Sequence, residues 1–447
     1  MNSHAAGDNT LDYMDQASFL GLRALGRGPQ IQFTWIYDHP VDLDGLRRFH
    51  DNLGRGLLGR RIERSPLPFG RHRWVASPGP AMEVAAGERP RDEVMNWIDD
   101  QIAIPLDPEN GPAWRMAVQP LTGGGAAVTL VVSHTTCDGL GIVLAIADAA
   151  KGVTHDFGYP PPHSRPRGRA LREDLRGFTR EIPKIGKAIV AGARLASKNK
   201  DQAARPGKKA NLPARRSTTG PLRVPMVVAY VDEGLWNERS KSLGGSSNSL
   251  VAGIAARLGA LTGRVDAQGR AKLTIPVSER VEGDSRGNAL NVITLDVDPA
   301  AVTGSLSDLR AGMKRELTAL ADSHNELLAP LPLTPLIPAR VAGRLEALAL
   351  GAGAPIGSSN GGQYDPWANR PDGTDADFIF ARQIDSGITA DVLDRLGGLL
   401  FVASGTVHGK VYLTITAWKA GGENSRDQLE SDVRTALGEF GLSGIVE

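Results

Sequence analysis

The stretch 126–150, AAVTLVVSHTTCDGLGIVLAIADAA, constrains this chain more than any other. Residues 126–132 are apolar, rich in Val, Leu and Thr, and follow the turn signal Gly123-Gly124-Gly125. That combination predicts a strand buried on both faces. Residues 139–150 are apolar almost all round and free of proline, which predicts a buried helix. Between them lies Ser133-His134-Thr135-Thr136-Cys137-Asp138-Gly139. A histidine at the carboxyl end of a buried strand is presented into a cleft and not to bulk solvent. Asp138 stands at the helix entrance, where a carboxylate caps free backbone N–H groups. Gly139 lets the backbone turn sharply and pass close to a neighbour.

The chain has 447 residues, too many for one ordinary core, so two domains are expected. A net charge of +1 gives no global steering toward nucleic acid or anionic membrane, and nucleic acid is not expected as a partner. One cysteine excludes an intramolecular disulfide and a Cys-rich zinc site. No His, Cys and Glu residues share metal-ligand spacing, so no metal is expected. The opening MNSHAAGDNT is polar and lacks the apolar core of a signal peptide. No apolar run approaches the roughly 20 residues of a spanning helix. The expectation is a cytoplasmic protein with no transmembrane segment, whose contact with lipid would be peripheral.

Taken in order, helices are predicted at 11–25, 41–58 and 91–102, and strands at 31–37 and 71–75, before the central strand. From 165 to 216 the composition shifts to 16 Lys or Arg against four acids, with prolines at both ends. This basic stretch reads either as a solvated connection containing a helix near 185–195, or as a docking surface for CoA phosphates or an acidic carrier protein. Order returns with strands at 224–231, 273–277 and 291–297 and helices at 248–261, 306–320 and 339–350. A strand end at 355 opens into the glycine loop Ser358-Ser359-Asn360-Gly361-Gly362. Strands at 399–404 and 410–416 and a helix at 427–440 close the chain. The division is an N-terminal lobe over 1–164, a basic linker over 165–220 and a C-terminal lobe over 221–447.

With its strand and helix, the pattern His134-x-x-x-Asp138-Gly139 resembles the signature of the CoA-dependent acyltransferase superfamily. That group includes peptide-synthetase condensation domains, polyketide-associated acyltransferases and the wax ester synthase/diacylglycerol acyltransferase branch. Pro105-Leu106-Asp107 followed by Gly111-Pro112-Ala113-Trp114-Arg115 is similar to the segment these enzymes place before the histidine strand. In the second half, Pro276-Val277-Ser278-Glu279-Arg280 followed by Gly287-Asn288 resembles the wax ester synthase branch. Ser133 departs from the pattern, because condensation domains and the wax ester branch carry a second histidine there. The resemblance implies an α/β fold of two chloramphenicol acetyltransferase-like lobes, each a mixed sheet with helices, with the active site in a tunnel between them.

The chemistry implied is acyl transfer from a CoA or carrier-protein thioester to an alcohol, forming an ester. An imidazole with a pKa near roughly 6.5 suits removal of the acceptor's proton at neutral pH. Among lone histidines a satisfied core residue is the commoner case; Asp138-Gly139, the flanking elements and Arg280 favour His134 as the general base. In the family the aspartate pairs with an arginine of the second lobe, which makes Arg280 the expected partner of Asp138 and gives Asp138, Gly139 and Arg280 structural roles. Cys137 beside His134 could also act as a nucleophile. Ser358, Ser359 and Asn360 are candidates for oxyanion or substrate contacts. No bound cofactor is expected; an acyl-CoA or phosphopantetheine thioester would be the co-substrate, and an alcohol or amine the acceptor. The competing expectations are a non-catalytic protein that binds a carrier protein or lipid, and an amide-forming condensation enzyme.

Overall fold

A computed structural model describes residues 9–198, 222–322, 328–337 and 355–447. The first sheet is built on β1 (Pro29–Tyr37), β4 (Glu83–Val84), β5 (Trp114–Pro120) and β6 (Ala126–Ser133). Its helices are α1 (Tyr13–Leu25), α2 (Leu43–Leu53), α3 (Val94–Ala103) and α4 (Gly139–Lys151). A separate hairpin joins β2 (Arg60–Glu63) to β3 (Arg73–Ala76). The second sheet contains β7 (Met226–Asp232), β8 (Ala271–Ser278), β9 (Leu290–Val297), β10 (Ile356–Gln363), β12 (Leu399–Val407), β13 (Lys410–Trp418) and β14 (Ile445–Val446), while β11 (Phe378–Asp385) lies elsewhere.

Sheet order is β11-β1-β6-β5-β4 in one lobe and β14-β7-β13-β12-β10-β8-β9 in the other. Both sheets are mixed: β4 runs parallel to β5, and β10 runs parallel to both β8 and β12. The fold is therefore the two-lobed α/β arrangement expected. Two cores form, one around Trp35, Phe49, Leu130 and Ile142 that also takes in Met226, Val228 and Tyr412 from the second sheet, the other around Leu250, Leu273, Val402 and Phe440.

β6 is buried along its whole length. Val128, Leu130 and Val132 enter the main core, while Val131 packs on Ile102 and Leu106. Strand β6 is paired on both edges, with β1 and with β5, so the ladders on its two sides take up its backbone groups. Helix α4 is less enclosed than its sequence predicts, since Leu144 is largely exposed.

Three features differ from the sequence reading. Strand β11 lies inside the range assigned to the C-terminal lobe, yet it pairs with β1 from Pro29↔Asp385 to Ile36↔Phe378. An eight-residue strand can complete any open sheet edge that matches its pattern, and periodicity does not say which one. The basic connection forms a much longer helix than 185–195: α5 spans Arg167–Lys198 and includes Pro183. Leu171, Leu175, Ile182, Ile189 and Val190 are exposed on it. The glycine stretch 358–362 is not a loop but part of β10, with a register shift between Asn360 and Gln363. A Cβ on Gly357 would run into the Phe401 ring, and one on Gly361 would meet Tyr364 at 2.7 Å. Those glycines make room for rings packed across the strand. The helix predicted at 339–350 lies outside the described residues. Among the described residues no helix is long and apolar enough to cross a membrane.

Candidate active site

The turn that follows β6 is held from four directions. The His134 amide donates to Pro29 O at 3.0 Å, and Thr136 N donates back to Ser133 O at 2.9 Å. Arg60, only 1% exposed, donates to Thr136 O at 2.7 Å and to Tyr159 Oη at 2.8 Å, and its guanidinium stacks 4.0 Å over Trp74. Ser18 and Thr135 share a hydroxyl contact of 3.0 Å. The fourth contact comes from the second lobe, where the segment between β8 and β9 reaches across. Gly287 O accepts from Asp138 N at 2.8 Å.

Asp138 performs two tasks with its two oxygens. Oδ1 caps α4 by accepting from Gly141 N at 2.7 Å. Oδ2 accepts from Ala289 N at 2.8 Å and pairs with Arg280 Nη2 at 2.7 Å, and Arg280 Nε donates to Oδ1 at 3.2 Å. Both side chains are almost fully buried. Arg280 gives its remaining N–H groups to the carbonyls of Asp284, Arg286 and Gly287. This is a desolvated, bidentate ion pair with its spare donors satisfied. It also excludes Asp138 as the group that orients the histidine ring.

The ring's partner is Asn288. Its Oδ1 lies 2.9 Å from His134 Nδ1, and its Nδ2 donates to His134 O at 3.1 Å and to Asp15 Oδ1 at 3.0 Å. Asp15 is wholly buried in α1 and also accepts from Gly287 N at 2.8 Å and Asn288 N at 2.7 Å. Burial pushes its carboxyl up to about 6, against the opposing pull of Arg60 and of these donors. His134 itself is half-buried, and its Nε2 has no protein partner among the described residues.

Asn288 was read in the sequence only as part of a family segment, and Asp15, Arg60 and Gly141 were missed. Asp15 left a signal, because it sits four residues from both Leu11 and Phe19, on the buried stripe of an amphipathic helix where an acid is out of place. The glycine that the geometry requires is Gly141 and not Gly139. A Cβ on Gly141 would meet Cys137 Sγ at 2.7 Å and Arg280 Cζ at 3.0 Å, whereas one on Gly139 meets nothing. Cys137 is not an activated nucleophile, since burial pushes its thiol up to about 12. Ser358 is buried on β10, and Asn360 donates to Asn248 Oδ1 at 2.7 Å and Ser247 Oγ at 3.3 Å. The hydrogen bonds of Asn360 therefore run to a helix of its own lobe, not toward His134.

No family model matches this sequence, and no curated protein matches it. Solved structures do. The first condensation domain of the calcium-dependent antibiotic synthetase, in complex with a substrate analogue, is 18% identical and superposes with a TM-score of 0.57 over 96% of each chain. The chain has the condensation-domain fold. Two other structures share it. Polyketide synthase associated protein 5 from Mycobacterium tuberculosis is 16% identical, with a TM-score of 0.55 over 94% of this chain and 96% of that one. The wax ester synthase/diacylglycerol acyltransferase from Marinobacter aquaeolei VT8 is also 16% identical, with a TM-score of 0.53 over 96% of this chain and 98% of that one. At such identities the likeness establishes the condensation-domain fold and leaves the chemistry to the residues.

Proposed function

We propose that this protein is an acyltransferase of the CoA-dependent superfamily, moving an acyl group from a CoA or carrier-protein thioester to an alcohol. The observation that carries the reading is the state of His134: its Nδ1 is engaged by Asn288, and Nε2 is the ring nitrogen left without a protein partner among the described residues, on a half-buried side chain. Nε2 takes the hydroxyl proton as the acceptor oxygen attacks the thioester carbonyl. The tetrahedral intermediate then expels the thiolate as the C–S bond breaks, and the thiolate recovers the proton from Nε2. An ester and a free thiol result, with no change of oxidation state. Both substrates enter from the seam between the lobes, and α5, with its excess of basic residues, offers a face for the donor's phosphates. Ester formation is preferred to amide formation because the segment around Arg280 and Asn288 resembles the wax ester synthase branch.

The test is thiol release from a panel of acyl-CoAs, with alcohols and amines as acceptors, for the native chain and for His134→Ala. Acceptor-dependent release that falls at least about a hundredfold in the variant is the expected result. Equal rates in the two proteins would remove His134 from the mechanism. Release with amines alone would replace ester formation by amide formation. Binding of carrier-linked and free thioesters without any turnover would make the protein a binding member of the fold.

A further inference from the structure

Asp15 and Asn288 stand outside the motif, lie on different lobes, and meet behind the histidine. The position of each atom is over-determined. The Asn288 side-chain nitrogen faces two acceptors, His134 O and Asp15 Oδ1, at 3.1 and 3.0 Å. With the amide reversed, its oxygen would face a carbonyl and a carboxylate, and three acceptors would meet without a hydrogen between them. The amide therefore has one stable orientation, which puts Oδ1 against His134 Nδ1. An amide oxygen only accepts, so Nδ1 carries the hydrogen, and the lone pair of the neutral ring is on Nε2. Asp15 is itself fixed by two backbone donors, Gly287 N and Asn288 N. The close fit of Gly287 supports this, since a Cβ there would meet Asp15 Oδ1 at 2.8 Å and Thr136 O at 3.0 Å.

We propose that Asp15 and Asn288 are positioning residues of the His134 site: Asp15 fixes the Asn288 amide, and the amide fixes the histidine as the tautomer that presents a basic Nε2. The inference rests on the reading of His134 as the base. It assigns to an amide-bridged pair the duty that a carboxylate performs directly in a Ser-His-Asp triad. Asp138 is paired with Arg280, burial pushes the Cys137 thiol up, and Arg60 and Asp12 act on Asp15. A carboxylate in direct contact with Nδ1 would hold the ring as imidazolium more tightly. The neutral amide orients the ring through one uncharged hydrogen bond.

The deciding measurement needs no substrate. In protein labelled with 15N-histidine, the His134 ring signals are those that vanish in His134→Gln. In alkaline buffer the native ring should show hydrogen on Nδ1 and a bare Nε2. In Asn288→Ala the hydrogen should move to Nε2 or exchange between the two nitrogens, and Asp15→Asn should move it in the same direction by releasing the amide. In acyl transfer, Asn288→Ala should lower kcat by about a hundredfold, the lower end of a general base's contribution, with KM little changed. A native ring with hydrogen on Nε2 would overturn the proposal. So would an Asn288→Ala protein that is folded by circular dichroism and keeps the native tautomer. A native ring with hydrogen on Nδ1 but no turnover toward any thioester would sink the acyl-transfer reading and leave the positioning roles standing.

Discussion

Two buried carboxylates fasten the second lobe to the turn carrying His134, and they do so with opposite partner sets. Asp138 is held by a guanidinium, by the start of its own helix and by Ala289 N. Asp15 is held by the backbone amides of Gly287 and Asn288 and by one side-chain amide, with Arg60 acting on it through space. The first is a charge neutralised in place, which makes a rigid clamp. The second keeps most of its desolvation cost, and its carboxyl is pushed up accordingly. The motif acid thus faces an arginine and a helix start, while an acid 119 residues before the histidine holds the amide that contacts the ring.

The sharpest way to break this contrast is to remove the counter-charge. Arg280→Ala leaves Asp138 buried and unpaired, and should cost about 3–5 kcal/mol in chemical denaturation. The double variant Asp138→Asn with Arg280→Met should recover much of that loss, because it removes both charges while asparagine still caps α4. Loss of less than about 1 kcal/mol in the single variant would mean the clamp is no stronger than a surface pair.

The next effect is a matter of pH. The Asp15 carboxyl lies at about 6 in the native state against 3.8 for the free group, so the native protein holds this proton more tightly. Its contribution to stability is full below 3.8 and is lost as pH rises through 6, by on the order of 3 kcal/mol. His72 has the reverse sign. Burial, then the charge of Arg64, holds its imidazole down to about 4 against 6.5, and its Nδ1 accepts from Ser65 N at 3.2 Å. Its contribution is full above 6.5 and is lost as pH falls toward 4, by a similar amount. The two slopes offset one another in the native chain. Denaturation midpoints followed across this range should therefore rise with pH more steeply in Asp15→Asn than in the native protein, and less steeply in His72→Gln. Parallel curves for all three proteins would show that Asp15 ionises as a solvated acid and that the contrast with Asp138 is false.

The smallest effect separates the glycines. Gly141→Ala presses a methyl group on Cys137 and Arg280, and should cost about 1–3 kcal/mol by overpacking. Gly139→Ala meets open space and should stay within about 0.5 kcal/mol of the native protein in the same denaturation assay. Equal losses at the two positions would remove the close packing argued for the Asp138 clamp.

Much of this architecture was legible in local pattern. The run 126–132, its glycine turn and the apolar segment beyond Asp138 specify a strand, a turn and a capped helix, because those preferences are set by neighbours within a few residues. The same holds for α2, whose cap is Asp42, with its side chain accepting from Asp44 N. The β10 error has an equally local origin. Glycine reads as a turn when nothing nearby shows the ring that needs its space, and Phe401 lies some 40 residues away from Gly357.

Local pattern sets the order of strands and helices, the apolar content of the cores, and the placement of a histidine at the end of a buried strand. Which groups meet there is settled by long-range packing. Asp15 and Asn288 are 273 residues apart, Asp138 and Arg280 are 142 apart, and β11 crosses some 350 residues to complete the first sheet. Periodicity encodes which face of an element is buried. It does not encode which partner the buried face will find, because hydrogen bonds and ion pairs between distant segments form only where the packing of both lobes has already brought their donors and acceptors within about 3 Å.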